Sequence, residues 1–127
     1  MNGEVFEVSF ERFGQMIEVI EGRENVMFMA KLASELLVGM FDDKPLCYIG
    51  LIPRTLISSE VYVWLLVTDE GKRHPFILAR YARGIVETVM LKYTLLYGHC
   101  FNEKSARWLR SLGAEFVSET EFEFRRG

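Results

Sequence analysis

Lys72, Arg73, Arg80 and Arg83 make the one local concentration of basic side chains in this 127-residue chain, with His74 beside them. Lys72, Arg73 and His74 could grip an anion electrostatically, and Asp69 and Glu70 just before them offset part of that field. Arg80 and Arg83 lie three apart on one helix face, a spacing that suits an anion, an acidic partner, or simply solvent. Arg107 and Arg110 repeat that spacing and could pair with Glu119, Glu121 and Glu123 in the tail. His99 and Cys100 are consecutive on an expected strand, so their side chains point to opposite faces and form no nucleophile–base pair. Cys47 reads as a small core hydrophobe. Two His and two Cys without short spacing give no metal site.

The elements that must carry these residues follow from periodicity. Val5 and Val8, with Glu4 and Glu7 among them, give a first strand. Phe10, Phe13, Ile17 and Ile20 then recur at helical spacing up to Gly22. A second helix starts near Arg23 and puts Val26, Met29, Leu32, Ala33 and Leu36 on one face. Leu36–Phe41 and Leu46–Ile52 form a hairpin around the turn Asp42-Asp43-Lys44-Pro45. A polar loop, 53–60, precedes Val61–Thr68, an almost continuously apolar run expected of a strand buried on both faces. Residues 69–75 form its exit loop. Pro75 suits the first turn of a helix to about Tyr93, with Leu78, Ala82, Ile85, Val89 and Tyr93 as its buried stripe. Thr94–Phe101 is a further strand. Asn102 caps an 11-residue helix that Gly113 closes. Ala114–Ser118 and Glu121–Arg125 pair at the end, with Phe122 and Phe124 on one face. If that last strand is a sheet edge, it offers a pairing surface to a partner. Met16, Met27, Met29 and Met40 read as core filler.

The expected order is β-α-α-β-β-β-α-β-α-β-β, an α+β domain spanning 1–127 without repeats or linkers. Half of the residues are hydrophobic, which excludes a disordered chain. A net charge of −3 argues against an extensive electrostatic footprint on nucleic acid. Met1–Phe10 lacks the basic-then-apolar pattern of a signal peptide. The most apolar stretch, Tyr81–Leu96, is broken by Arg83, Glu87 and Lys92, so no membrane helix is expected and the cytoplasm is the expected location.

This order, together with Asn102, Leu112 and Gly113, resembles the GNAT (acyl-CoA N-acyltransferase) superfamily, whose sheet is mixed, mostly antiparallel and flanked by helices. Trp64, Thr68, Asp69, Pro75, Asn102, Arg107, Trp108, Leu109 and Gly113 bring it close to the small GNAT-like internal virion protein of short-tailed bacteriophages and their prophage relatives. That resemblance implies a non-catalytic particle or particle-assembly component, with other virion proteins as partners and no cofactor.

The superfamily resemblance also implies a site to be tested against the residues present. A pyrophosphate needs convergent backbone N–H groups, normally on a loop with two glycines. Here Gly71 stands alone, Pro75 lacks an N–H, and Phe76 and Ile77 are bulky. The contacts to acetyl-CoA or CoA would be Val67, Thr68, Gly71, Lys72, Arg73 and His74. Glu60 is the candidate general base, its alternative reading being a solvated carboxylate at the strand entry. Where the superfamily commonly has a tyrosine proton donor, this chain has Leu109; neighbouring Trp108 is no usable acid. The alternatives to a particle component are therefore an acyl-CoA-dependent N-acyltransferase with a degenerate loop, and a CoA-binding module without turnover.

Overall fold

The computed structural model describes residues 3–18, 22–55 and 57–126. Its strands form one mixed, mostly antiparallel seven-stranded sheet in the order β1-β2-β3-β4-β5-β7-β6, flanked by helices. These are β1 (Gly3–Val8), α1 (Phe10–Met16), α2 (Arg23–Leu32), β2 (Glu35–Phe41), β3 (Lys44–Pro53), β4 (Glu60–Val67), α3 (Asp69–Lys72), α4 (Pro75–Lys92), β5 (Leu95–His99), α5 (Glu103–Ser111), β6 (Glu115–Phe116) and β7 (Glu121–Arg125). The expected order is observed, with α3 added where an exit loop was expected. Two compact units divide the chain: Met1–Ile52 with Leu65–Tyr81, and Pro53–Trp64 with Ala82–Gly127.

In the first unit, Ser9 caps α1 by accepting from the Arg12 N–H at 3.1 Å. The helix ends at Met16, and Ile20 lies outside the described residues. α2 stops at Leu32, so Ala33 and Leu36 are not on its face; it buries Ala30, and Leu32 is exposed. β1 and β2 pair antiparallel from Gly3–Phe41 to Val8–Leu36. The hairpin turn is two residues, shorter than expected. Asp42 and Asp43 both have positive φ (50° and 64°), the paired left-handed geometry whose twist suits a tight hairpin. β3 therefore starts at Lys44, taking Pro45 into the strand.

The strand buried on both faces is β3, not β4. Leu46 to Leu51 are all buried. Tyr48 and Cys47 face opposite ways, and each face has its own cover. Phe13 of α1 packs edge-on against Tyr48, ring centroids 5.5 Å apart, a contact worth about 0.5–1.5 kcal/mol beyond the area it buries. On the Cys47 face lies Tyr81 of α4. A Cβ on Gly39 would stand 2.7 Å from the Tyr81 ring and 3.0 Å from Cys47 Sγ, so only glycine leaves that ring its place. The Tyr81 hydroxyl donates to the Met40 carbonyl.

The second unit holds a parallel pair, β4 with β5. Val61, Leu96, Phe122 and Phe124 are buried, and the ladder places Leu96 opposite Phe124. Asn102 Oδ1 accepts from the Ser105 N–H at 2.7 Å, capping α5 as expected, and Gly113 (φ 110°) follows its end. The Arg126 guanidinium donates to the Met90 and Leu91 carbonyls and so closes the C-terminus of α4. Three expectations are corrected here. β7 lies between β5 and β6, so it is not the sheet edge. β6 holds only two residues, because the Ser118 hydroxyl accepts the N–H groups of Thr120 and Glu121 and turns the chain early. Arg110 reaches Glu103 and lies over the Phe116 ring, 4.6 Å from its centroid, rather than meeting the tail carboxylates.

Candidate functional site

Thr68 follows the last residue of β4 and fixes the loop that could hold an anion. Its hydroxyl donates toward the Pro45 and Leu46 carbonyls (2.7 and 3.1 Å) and accepts from the Gly71 N–H at 3.0 Å. Its own N–H donates to Leu46 O. The loop is thereby fastened to the start of β3 and coils into α3. Gly71 is buried, and a Cβ there would collide with the Leu46 carbonyl oxygen. Glycine is thus required at 71 by the approach of β3 backbone, and its N–H is already used by Thr68.

The cations of this loop have a partner of their own. Glu70 Oε1 lies 2.9 Å from Arg73 Nη1, and Oε2 lies 3.1 Å from His74 Nε2. The hydrogen bond from His74 is the largest influence holding the Glu70 carboxyl below its ordinary value, with Lys44 and Arg73 adding to it against some desolvation. Lys72 is exposed. Phe76 is 88% exposed at the start of α4, and Pro75 opens that helix as expected.

β4 leaves apolar side chains uncovered at this end. Val61 alone of its residues is buried, and Leu65 is 45% exposed. The pairs with β5 are Glu60–Leu95, Val61–Leu96 and Tyr62–Tyr97. Beyond Tyr62 the strand runs five more residues, to Val67. Where a strand edge is open, an extended, amide-bearing ligand arm can pair with its backbone amides.

Where that ladder ends stands a cluster absent from the sequence reading. The Tyr62 hydroxyl and His99 Nδ1 are 3.3 Å apart. Tyr97 packs edge-on against Tyr62 (5.5 Å), and the Phe101 ring lies parallel to the imidazole (6.0 Å, 4°). Desolvation, then the neighbouring Tyr97, raises the Tyr62 pKa. Alternation on β4 and register with β5 put Glu60, Tyr62, Tyr97 and His99 on one sheet face. A search for motifs along the chain misses this pair, because 37 residues separate its members. The signal available was the alternation of Tyr97 and His99 on an expected strand.

Glu60 opens β4 and is held by Arg54, Nη1 to Oε1 2.6 Å. It and the Thr68–His74 loop stand at opposite ends of the strand. Leu109 is half-buried on α5, and Asn102 spends its side chain on the helix cap. Cys47 is buried, and desolvation pushes its thiol up to about 11. Among the described residues, no group of three or more His, Cys, Asp or Glu could hold a metal ion, and no helix is long and apolar enough to cross a membrane.

Compared with protein-family models and with curated proteins, the chain matches none. Solved structures do match. A protein assigned as an acetyltransferase of the GNAT family, from Desulfovibrio desulfuricans, superposes with a TM-score of 0.69 at 11% identity, covering 98% of this chain and 99% of that one. Aminoglycoside acetyltransferase AAC(6')-Ib, in complex with coenzyme A, gives 0.72 at 10% identity over 98% and 95%. A Salmonella typhimurium protein assigned as an acetyltransferase, with its cofactor acetyl-CoA, gives 0.69 at 9% identity over 98% and 94%. The chain has the GNAT acetyltransferase fold. The comparisons bring no support to the resemblance to a phage virion protein.

Proposed function

We propose that this chain is an acyl-CoA-dependent N-acyltransferase. The observation that carries the reading is the GNAT fold together with a parallel β4–β5 ladder whose described pairs end at Tyr62–Tyr97 while β4 runs on to Val67. Acyl-CoA would supply the thioester acyl group. The backbone of β4 past Tyr62 would pair with the amides of its pantetheine arm, and Leu65 would pack against its apolar segments. Val67 ends the strand with Thr68 after it, and Lys72 and Arg73 follow them in the chain as cations that could meet a phosphate. Excluding water from this strand strengthens each of these polar contacts.

This reading takes up the alternative drawn from the sequence in preference to the phage-particle role and its virion partners. A CoA-binding module without turnover is the second reading. Leu109, which has no proton to give, and Glu70, which already holds Arg73 and His74, favour it.

Calorimetric titration with acetyl-CoA and CoA, followed by thiol release in the presence of a panel of primary amines, separates the readings. Binding with thiol release supports the transferase, and binding without release supports the module. By mass action, ligand at 100 times its Kd raises stability by about 2.7 kcal/mol. No binding at millimolar ligand overturns both.

A further inference from the structure

We propose that His99 is the proton acceptor of this transferase and that Tyr62 is the residue that positions it. The inference rests on the acyltransferase reading and adds to it a proton carrier, since Leu109 on α5 has no proton to offer and Glu60, two residues before Tyr62 on β4, is ion-paired with Arg54.

The geometry is that of an oriented imidazole. Nδ1 is 3.3 Å from the Tyr62 hydroxyl, and Nε2 has no hydrogen-bond partner among the described residues. In the tautomer with the proton on Nδ1, that N–H donates to the Tyr62 oxygen and Nε2 carries a lone pair directed outward. The Phe101 ring lies parallel to the imidazole, centroids 6.0 Å apart, and Tyr62 packs obliquely on it at 5.7 Å. Tyr62 is itself braced by Tyr97, its partner in the last β4–β5 pair. The base therefore stands two residues beyond Tyr97, the β5 member of the last described pair, where the reactive end of a ligand paired on β4 would lie. His99 is exposed, so an amine can reach it.

In the step assigned to it, the amine nitrogen forms its bond to the acyl carbon while the C–S bond breaks. The proton lost by nitrogen goes to His99 Nε2, and from there to the departing thiolate, which leaves as the CoA thiol. The products are the amide and CoA, with no net change in protons and no oxidant or reductant. General-base assistance of this kind is worth 10²–10⁴-fold. The charged groups facing the imidazole are Glu121, directly across from it on β7, and Glu123, across from Tyr97. Glu123 is engaged by Arg125 at 2.6 Å and Glu121 by the Ser118 hydroxyl. On the same sheet face stand Tyr97, Tyr62 and Glu60, the last paired with Arg54.

The test uses the full chain with His99→Gln and Tyr62→Phe. Calorimetry should show CoA affinity within about twofold of wild type for both. His99→Gln should lose at least 100-fold in kcat/KM together with the acid limb of its pH profile. Tyr62→Phe should lose about tenfold in kcat with little change in KM, and keep that limb. In the ligand-free protein, ¹⁵N resonances of His99 should report the Nδ1–H tautomer and lose it in Tyr62→Phe. An active wild type whose rate and pH limb survive His99→Gln overturns this assignment alone, as does an Nε2–H tautomer at the pH of activity. Absence of both CoA binding and turnover in wild type overturns the transferase reading, and this assignment falls with it.

Discussion

Glu70 Oε2 lies 3.1 Å from His74 Nε2, and the same carboxylate holds Arg73 through its other oxygen. A loop whose cations were expected to meet a phosphate thus meets its own glutamate first. Any incoming anion must compete with that carboxylate. Glu70→Gln removes the competing charge while keeping a hydrogen-bonding group. CoA should then bind several-fold more tightly, with a steeper dependence on salt, in calorimetry at two ionic strengths. Unchanged affinity would show that Arg73 and His74 do not face the ligand.

The same residue carries an acid-range prediction. Its folded-state pKa is lowered, first by the hydrogen bond from His74. A lowered carboxyl contributes stability that is present above the ordinary value of 4.5 and lost as pH falls through the folded value. Melting temperatures of wild type should therefore fall more between neutral and acid pH than those of Glu70→Gln. Parallel curves for the two proteins would contradict this.

Thr68 and Gly71 are the anchors of that loop, and each should be costly to change. Thr68→Val keeps the shape but loses the donor to the β3 carbonyls and the acceptor for the Gly71 N–H, a loss of about 1–2 kcal/mol. Gly71→Ala drives a methyl into the Leu46 carbonyl, which demands backbone movement and should cost about 3 kcal/mol or more. Urea unfolding of both measures this, and a Gly71→Ala protein of wild-type stability would refute the packing account.

These anchors also mark what periodicity could and could not reach. Asn102 and Gly113 were legible as helix ends because capping is a local matter, settled within three or four residues. The burial of Val61–Thr68 was not, since an apolar run says only that its side chains tolerate burial. Cover came instead to β3, from Phe13 on one face and Tyr81 on the other, across 35 and 34 residues of chain. Lys72, Arg73 and His74 were legible as an anion-seeking cluster. The share of their charge taken by Glu70 depended on α3 being helical, which brings residues three and four apart together. Tyr62 and His99 needed the parallel register of β4 and β5, which no local pattern encodes.

Cys47 gives an alkaline counterpart to Glu70. Burial raises its thiol from 9.0 to about 11, so the folded protein keeps a neutral thiol where the unfolded chain ionises. A raised value contributes stability fully present below 9.0 and lost as pH rises through about 11. At about 1.4 kcal/mol per unit, two units correspond to roughly 3 kcal/mol. Cys47→Ala should flatten the alkaline fall in denaturant stability by an amount of that order, leaving the part contributed by Tyr48, Tyr62 and Tyr81, which are raised as well. An alkaline profile identical to wild type would contradict it.

Gly98 links the packing of the second unit to the proposed chemistry. It lies on β5 between Tyr97 and His99, opposite Phe122 in the ladder with β7. An added Cβ would stand 2.8 Å from the Val63 carbonyl oxygen and 2.9 Å from the Phe122 ring. The ring can tilt, but the carbonyl belongs to β4 backbone, so the two strands must separate just past Tyr62–Tyr97. Gly98→Ala should therefore cost about 1–3 kcal/mol in urea unfolding. It should also lengthen the Tyr62–His99 hydrogen bond, because those residues flank the point of separation. The His99 ¹⁵N resonances of this variant should move toward those of Tyr62→Phe, and any acyl transfer should fall in kcat more than in KM. A destabilised Gly98→Ala protein with unshifted His99 resonances would show that the imidazole is held by Phe101 and its own strand rather than by Tyr62.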